Sequence, residues 1–597
     1  MTPMQLENGI RCFQAMVPMR DGVRLNTFVY LPQDDASRRY PVILQRTPYG
    51  ITAADAPDKT DCAQGWLPAA DAPMRGSILR GWRNIVDRGY VAVYQDTRGR
   101  NGSEGEDRVY ADDAHDGYDT LEWIAGQPWC NGRIGMSGSS AGATTTFAAA
   151  SQGHPSLKAF FAQVGGSSIY DDVVYEGGAI EMERLWLWVA QNVPGLSATH
   201  RARAVQHAGI TEAAYEQAVA ATQACWERLQ KTSPGPHPFV DNDDWMRLPL
   251  RGHPSFSIVQ PFLDEILAHP LPDDFRRAHD FRSRIAIPGF HATTWYDIFL
   301  TSVIAAFQDI QSRVGHQKLW IGPNHHYFIY ESRFWPRDPY FEWFGHWLKD
   351  ERADLIDEPD VHYAPRAWID DDTHYIANDW KHADHWPPKC RTRTFHLRSD
   401  ATLAATPTSG PARSFVYDPR HPIPTQGGRN MLIAAGQRDQ QALRRLPHYG
   451  LVYRSDPLPQ AITIAGEVRA TLHISSDCPD TDFVVKLIEH RPDGRAILLM
   501  DGVARAMLHG GNAAEPLRPG EVVRLDISLA HIHHTIPAGH RIEVDITGSN
   551  FPRRARNTNS GNVHLAADDE SCIRVATNTI HHDLATPSYV EIPVLAE

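Results

Sequence analysis

The chain lacks any apolar run approaching the roughly 18 residues that a membrane-crossing helix needs, which excludes an ordinary transmembrane span. Its first residues, Met1-Thr2-Pro3-Met4-Gln5-Leu6-Glu7-Asn8-Gly9, have neither the basic start nor the apolar stretch of a secretory signal. The seven cysteines (Cys12, Cys62, Cys130, Cys225, Cys390, Cys478 and Cys572) are scattered, odd in number and never in a Cys-x-x-Cys pair. That excludes a disulfide frame and a cysteine zinc site, and a cytoplasmic protein with reduced thiols is the expectation. No dense Lys/Arg run occurs and the formal net charge is −14, which argues against a nucleic-acid partner. Internal repeats and low-complexity tracts are absent too.

What remains is an ordinary globular composition, 42% hydrophobic and 22% charged over 597 residues, enough for several domains. Within it, Gly138-Ser139-Ser140-Ala141-Gly142 matches Gly-x-Ser-x-Gly. In that motif a serine sits on a strained turn between a strand and a helix, and the glycines let the turn be tight enough to expose the serine oxygen at a sheet edge. Alone the motif is short and arises by chance, so the rest of the chain has to supply a base, an acid and an oxyanion site in a consistent order.

The N-terminal part supplies the sheet. Asp21-Gly22 between extended runs predicts a hairpin. The buried runs Pro41-Val42-Ile43-Leu44, Tyr90-Val91-Ala92-Val93-Tyr94 and Phe160-Phe161-Ala162-Gln163-Val164 alternate with helical stretches at about Ile78 to Arg88, His115 to Ala125 and Ala143 to Ser151. Such alternation implies a parallel sheet covered on both faces. From about Ser168 to Phe281 strand runs give way to helices, the clearest being Thr211 to Leu229, and Ser233-Pro234-Gly235-Pro236-His237-Pro238 breaks them. The strand pattern returns at Arg284-Ile285-Ala286-Ile287-Pro288 and Gln317-Lys318-Leu319-Trp320-Ile321, and a helix at about Tyr340 to Lys349 closes this part. Beyond about Asp350 short alternating runs, including Ala470 to Ile474, Phe483 to Leu487 and Arg541 to Ile546, predict a β-sandwich. The expected division is therefore an α/β domain in two pieces, 1–168 and 281–350, around a helical insertion at 169–280, followed by a sandwich at 351–597.

A hydrolytic serine needs a base and a carboxylate to orient it, in the chain order Ser, Asp, His on α/β-hydrolase scaffolds. Loops that follow parallel strands gather at one sheet edge, and three candidates fall there: Ser140, then Asp297 in Trp295-Tyr296-Asp297, then His326 or His325 in Gly322-Pro323-Asn324-His325-His326. Singly, an Asp before a helix is commonly an N-cap and a His after a strand commonly a packing residue; the joint placement is what favours chemistry. The Ala141 backbone N–H and the Tyr49 hydroxyl are the candidate oxyanion donors.

Arg46-Thr47-Pro48-Tyr49, Asp96-Thr97-Arg98-Gly99, Gly135-Met136-Ser137-Gly138-Ser139-Ser140, Trp295-Tyr296-Asp297 and Gly322-Pro323-Asn324-His325-His326 together resemble the cocaine-esterase-like family of serine hydrolases. Its relatives are the α-amino-acid ester hydrolases and X-prolyl dipeptidyl-peptidases. Val416-Tyr417-Asp418-Pro419, Leu451 to Leu458 and Gly548 to Arg553 extend the resemblance to that family's jelly-roll domain. The resemblance implies that His326 is the base, through a Gly-Pro-x-x-His pattern, and that Tyr49 belongs to the oxyanion hole. It implies an α/β-hydrolase domain carrying the insertion as a helical cap, and ester cleavage through an acyl-serine with no metal or organic cofactor. Trp186, Trp188, Trp245 and Phe256 of the cap are the candidate pocket residues, with helix–helix core as their bland alternative. Two departures stand out. Ala141 occupies a position where the family often has an aromatic ring. Ile298, Phe299 and Leu300 follow Asp297, where the amino-ester hydrolases carry carboxylates; a buried ammonium without a counter-charge is costly, which argues against α-amino-acyl substrates.

The expected substrate is thus a small-molecule ester, with an amidase or X-prolyl dipeptidyl-peptidase as the alternative within the class. A binding protein on an inactive hydrolase scaffold is the alternative outside it. A metal enzyme built on His531, His533 and His534 with His581 and His582 lacks a recognised ligand spacing. A homodimer is the expectation from fold analogy alone.

Overall fold

The computed structural model describes residues 2–5, 11–32, 38–51, 81–231, 237–330, 335–365, 379–511 and 513–596. Ile78 to Arg80 of one expected helix and Ser233 to Pro236 of the expected helix break lie outside them.

The strands of the N-terminal part are β1 (Thr2–Gln5), β2 (Arg11–Pro18), β3 (Arg24–Leu31), β4 (Tyr40–Thr47), β5 (Val91–Asp96), β6 (Cys130–Ser139) and β7 (Leu157–Gln163). A small hairpin of β8 (Tyr175–Glu176) and β9 (Ala179–Ile180) opens the insertion, after which come β10 (Gly289–Tyr296), β11 (Gln317–His325), β12 (Val361–Tyr363) and β13 (Lys381–Ala383). Apart from the hairpin these form one sheet in the order β1-β2-β3-β5-β4-β6-β7-β10-β11-β12-β13. The centre, from β5 to β12, is parallel and the edges are antiparallel. The β2–β3 hairpin turns at Asp21-Gly22, where Gly22 takes a left-handed φ of 87° that a side chain would resist. Every residue of β4 and β5 is buried, as expected of strands covered on both faces.

The helices of this part are α1 (Trp82–Val86), α2 (Asp113–Ala125) and α3 (Ala141–Ala150). The insertion holds α4 (Met182–Asn192), α5 (Ala198–Ala208), α6 (Glu212–Leu229), α7 (Asp243–Met246), α8 (Phe262–Leu267) and α9 (Asp274–Ala278). Ser197 and Thr211 cap α5 and α6 by accepting backbone N–H groups of His200 and Ala214. α10 (Leu300–Val314) and α11 (Tyr340–Lys349) follow.

Two features differ from the sequence expectation. Residues 285–288 are not a strand: the chain pairs from Gly289 to Tyr296 instead. Pro288 has no N–H to give a ladder, whereas Thr293, Thr294, Trp295 and Tyr296 are good strand formers and all buried. The first sheet also continues past residue 350, because β12 and β13 add to it beyond β11. They are three residues each, too short for a pattern to announce them.

From Cys390 on the chain is β-structure, with eleven strands joined in a second sheet. This sheet doubles back on itself as a sandwich: a Cβ on Gly502 of strand Ala496–Arg505 would lie 1.9 Å from the Ser528 carbonyl of strand Val523–Ile536, so only glycine fits there. The sandwich meets the first sheet directly, with the Tyr296 hydroxyl donating to the Leu499 carbonyl (2.8 Å).

Candidate active site

Chain order and strand order reverse between β4 and β6: β5 is added on one side of β4 and β6 on the other. Such a switch opens a crevice at the carboxyl ends of the strands. Tyr49 follows β4 and Ser140 follows β6, so both stand at that crevice.

Ser140 follows β6 and stands at the N-cap position of α3 with φ 55° and ψ −123°, a conformation rare for a residue with a side chain. Its N–H is held by the Gln163 carbonyl (2.9 Å). The flanking glycines are required by space. A Cβ on Gly138 would lie 2.1 Å from the Gly142 carbonyl oxygen, and one on Gly142 would lie 3.2 Å from that of Arg46. The strain therefore belongs to the turn that presents the serine oxygen.

Asp297 follows β10 and His326 follows β11, adjacent parallel strands, and both side chains are buried. His326 Nδ1 lies 2.7 Å from Asp297 Oδ1. An ionised carboxylate only accepts, so Nδ1 carries the hydrogen and Nε2 is left with its lone pair as a base. The other carboxylate oxygen accepts from Thr293 Oγ1 (2.8 Å), a partner that sequence reasoning missed. The Phe299 and Tyr327 rings stand edge-on to His326 with centroids 6.0 and 5.5 Å away. His325, the rival base, ends β11 with its ring edge-on to Tyr327.

The Tyr49 hydroxyl donates to Ser140 Oγ at 3.4 Å. Burial raises its phenol; the hydrogen bond with Ser140 and the Arg100 charge oppose that. Of the two expected oxyanion donors, the Tyr49 O–H stands beside the serine oxygen, and the Ala141 N–H opens α3 directly after it.

Of the four aromatic residues expected around a pocket, Trp188 is half-buried, with its ring centre 4.9 Å from the Arg100 guanidinium carbon. Trp186 is fully buried against Phe256 and His253, with centroids 4.9 and 5.4 Å away. Trp245 is fully buried and donates its indole N–H to the Leu229 carbonyl (3.1 Å). Trp186, Trp245 and Phe256 are thus cap core, a correction that follows from packing: Trp186 of α4, Trp245 of α7 and Phe256 of the turn before α8 seal the cap before they can line a cleft. A cavity of about 570 Å³ lies elsewhere, at the junction of cap, first sheet and sandwich, and Arg184, Ile298, Thr301 and Arg429 are among its walls. The histidines considered as metal ligands have separate partners: Trp386 donates to His531, and His533, His534, His581 and His582 lie against the Pro365 carbonyl, Glu489, Ser475 and Tyr453.

A mostly parallel sheet with a serine at its switch point, and a His–Asp pair after two later strands, define an α/β-hydrolase-type protein. The family model of the X-Pro dipeptidyl-peptidase (S15 family) matches residues 21–328, over half of the chain, and that of the X-Pro dipeptidyl-peptidase C-terminal non-catalytic domain matches residues 356–591. The chain belongs to this family. It is 29% identical to the cocaine esterase of Rhodococcus sp. (strain MB1 Bresler), over 97% of this chain and 98% of that one. Among solved structures it resembles an α-amino acid ester hydrolase (TM-score 0.74, 21% identity, 98% of this chain and 97% of the other). It also resembles an aminopeptidase from a marine-sediment Thaumarchaeota archaeon (TM-score 0.71, 22% identity, 98% and 97%). At these identities the structural likeness speaks for the fold.

Proposed function

We propose that the protein is a serine hydrolase that cleaves carboxylic esters through an acyl-serine. The observation that carries this reading is the pairing of His326 Nδ1 with Asp297 while Ser140 sits on a strained turn beside the Tyr49 hydroxyl. Nε2 of His326 removes the proton of Ser140 as its oxygen attacks the ester carbonyl. Asp297 holds the ring and stabilises its cation. The negative oxygen of the tetrahedral intermediate takes hydrogen bonds from Tyr49 and Ala141. His326 then protonates the leaving alcohol, and afterwards activates the water that frees Ser140. Each step uses only this chain's side chains and water.

The similarity to a cocaine esterase supports an ester substrate, whereas the family's own description favours a peptide bond cleaved after an X-Pro pair. Peptidases of that kind must hold a free amino terminus. The residues after Asp297 are apolar, and the buried carboxylate of Glu183 already accepts backbone N–H groups of Met431, Leu432 and Ile433. These features favour the ester. The cap of residues 169–280 would set the choice of acyl group, with Ala141 leaving room beside the serine. The sandwich is taken as a jelly roll and the site of action as the cytoplasm, in line with the scattered free cysteines; among the described residues no helix is long and apolar enough to cross a membrane.

The test compares an aryl ester with its matching anilide and with an X-Pro anilide, using the wild type and Ser140→Ala. The expected result is turnover of the ester well above both anilides, and loss of at least about 10⁴-fold in Ser140→Ala. Preference for the X-Pro anilide would replace the ester reading with the peptidase one.

A further inference from the structure

Two histidines, His325 and His326, stand together where β11 ends, and His326 is the one that meets Asp297. The acid is fixed from its own strand, since its second oxygen accepts from Thr293 of β10 (2.8 Å). The histidine has to be brought to it. β10 and β11 pair in even steps, from Gly289 with Gln317 to Thr294 with Gly322. The next pair is Tyr296 with His325, two residues on in β10 but three in β11. β11 therefore carries one extra residue, a bulge at Pro323 and Asn324 opposite Trp295. Asn324 is buried there with a left-handed φ of 67°. That backbone is costly for a residue with a side chain, though less so for asparagine than for most.

The register decides which histidine is presented. Continued in step, the pairing would set Asn324 level with Tyr296, and His325 level with Asp297. The extra residue sets His326 there instead, and a shift of one residue also exchanges the two faces of a strand. The contact that exists is the one the bulge creates, His326 Nδ1 to Asp297 Oδ1 at 2.7 Å, while the His325 ring stands edge-on to Tyr327. A bulge that merely ended the sheet would not be followed by a further pair, yet Tyr296 and His325 pair beyond it. Trp335 grips the same loop on both sides of His326. Its indole N–H donates to the Ile329 carbonyl after the base (3.0 Å). Its ring lies over Gly322 before the base, where a Cβ would come within 3.3 Å of Trp335 Cη2. The ring is itself seated, stacked on Trp320 of β11 (centroids 6.0 Å apart) and packed against Trp380 (5.6 Å).

We propose that Asn324 and Trp335 are positioning residues for the general base: the left-handed turn at Asn324 inserts the residue that brings His326, and not His325, to Asp297, and Trp335 clamps the loop so that the ring stays there. Backbone strain kept beside a reacting group is a means of fixing its geometry. A base must hold its place during proton transfer, and a small displacement of a reacting group costs far more in rate than in binding. Both residues act through His326.

The proposal rests on the acyl-serine reading, and the experiment separates the two. Steady-state constants for an aryl acetate are measured for Asn324→Ala, Asn324→Gly, Trp335→Leu, Trp335→Phe and His326→Ala. Asn324→Ala and Trp335→Leu are also each combined with His326→Ala. We expect Asn324→Ala to lower kcat about tenfold with KM within about twofold, because alanine resists the left-handed backbone and the base is displaced. Asn324→Gly accepts that backbone freely and keeps kcat within about twofold of the wild type. Trp335→Leu lowers kcat about tenfold as well, and Trp335→Phe, which keeps a ring over Gly322, recovers most of the loss. His326→Ala leaves the slow turnover of a site without its base. In that background Asn324→Ala and Trp335→Leu each change the residual rate by less than about twofold, since the group they serve is gone. If Asn324→Ala does not fold, the Trp335→Leu and His326→Ala cycle carries the same comparison. Equal losses in both backgrounds, full kcat in Asn324→Ala, or Asn324→Gly as damaged as Asn324→Ala would overturn the proposal. Failure of a fluorophosphonate to label Ser140 in the wild type, or full turnover by His326→Ala, would instead remove the catalytic reading, and the proposal with it.

Discussion

Thr293 is the residue on which the candidate charge relay leans without its having been visible beforehand. A threonine inside a buried strand reads as a β-former, and only the turn of β10 into Asp297 brings its hydroxyl to the carboxylate (2.8 Å). Ser140, Asp297 and His326 were legible for the opposite reason: each stands at a strand end within a motif whose order has a chemical meaning. Replacing Thr293 with the isosteric valine leaves one oxygen of Asp297 without that donor. Hydrogen bonds to a charged group are worth about 1.5–3 kcal/mol, so kcat should fall roughly tenfold with KM unchanged. Steady-state kinetics on one ester would check it; a loss below about twofold would mean that Thr293 does not orient the acid. Trp186, Trp245 and Phe256 mark the limit in the other direction. An aromatic residue in a cap helix carries no sign of which neighbour it will face, and these three face one another or the cap core.

At the scale of elements, the tight turn between β6 and α3 follows from two glycines that differ in how little space they have. Gly138 would set a Cβ 2.1 Å from a backbone oxygen, Gly142 one at 3.2 Å from another. Gly138→Ala should therefore cost about 3 kcal/mol or more and abolish labelling of Ser140, while Gly142→Ala should cost about 1 kcal/mol and retain part of it. Melting curves and labelling yields rank the two; a Gly142→Ala variant as damaged as Gly138→Ala would show that the turn is not limited by the Gly138 contact. The alternation of buried runs and helices made β4, β5, β7 and β11 readable. It misled at 284–288, where Ile285 and Ile287 look like a strand but Pro288 denies the ladder an N–H, and the paired strand is the Thr-rich segment that follows.

The whole molecule is held together by pairings that no local pattern could announce. Glu176 of the β8–β9 hairpin pairs with Arg429, Arg553 and Arg554 of the sandwich, Arg553 being 377 positions away in sequence, and Arg553 also pairs with Asp501 (2.6 Å). The hairpin begins the segment that leads into α4, so the sandwich braces the helix that carries Trp188. Buried histidines set the acid limit of the same body. His291 lies between the Phe147 and Phe160 rings with Nε2 3.0 Å from Gln317 Oε1, and burial lowers it to about 4 from the usual 6.5. Between those values the unfolded chain takes up a proton that the folded chain refuses. Its share of stability is therefore complete above about pH 6.5 and is lost as the pH falls towards 4. Raised carboxyls such as Asp482, lifted to about 7 by burial, act in the opposite sense, so one residue must be isolated. His291→Leu should lose about 2 kcal/mol less than the wild type between pH 7.5 and pH 5, read from denaturant curves at both pH values. Equal acid losses in the two proteins would mean that His291 is protonated in the fold. The central claim, that Ser140 is the nucleophile, is tested most directly by peptide-mapping mass spectrometry after fluorophosphonate treatment. The account predicts one adduct, on the peptide bearing Ser140, with ester hydrolysis lost in proportion and no adduct in Ser140→Ala. An adduct on another serine that tracks the loss of activity, or wild-type turnover by Ser140→Ala, would contradict it.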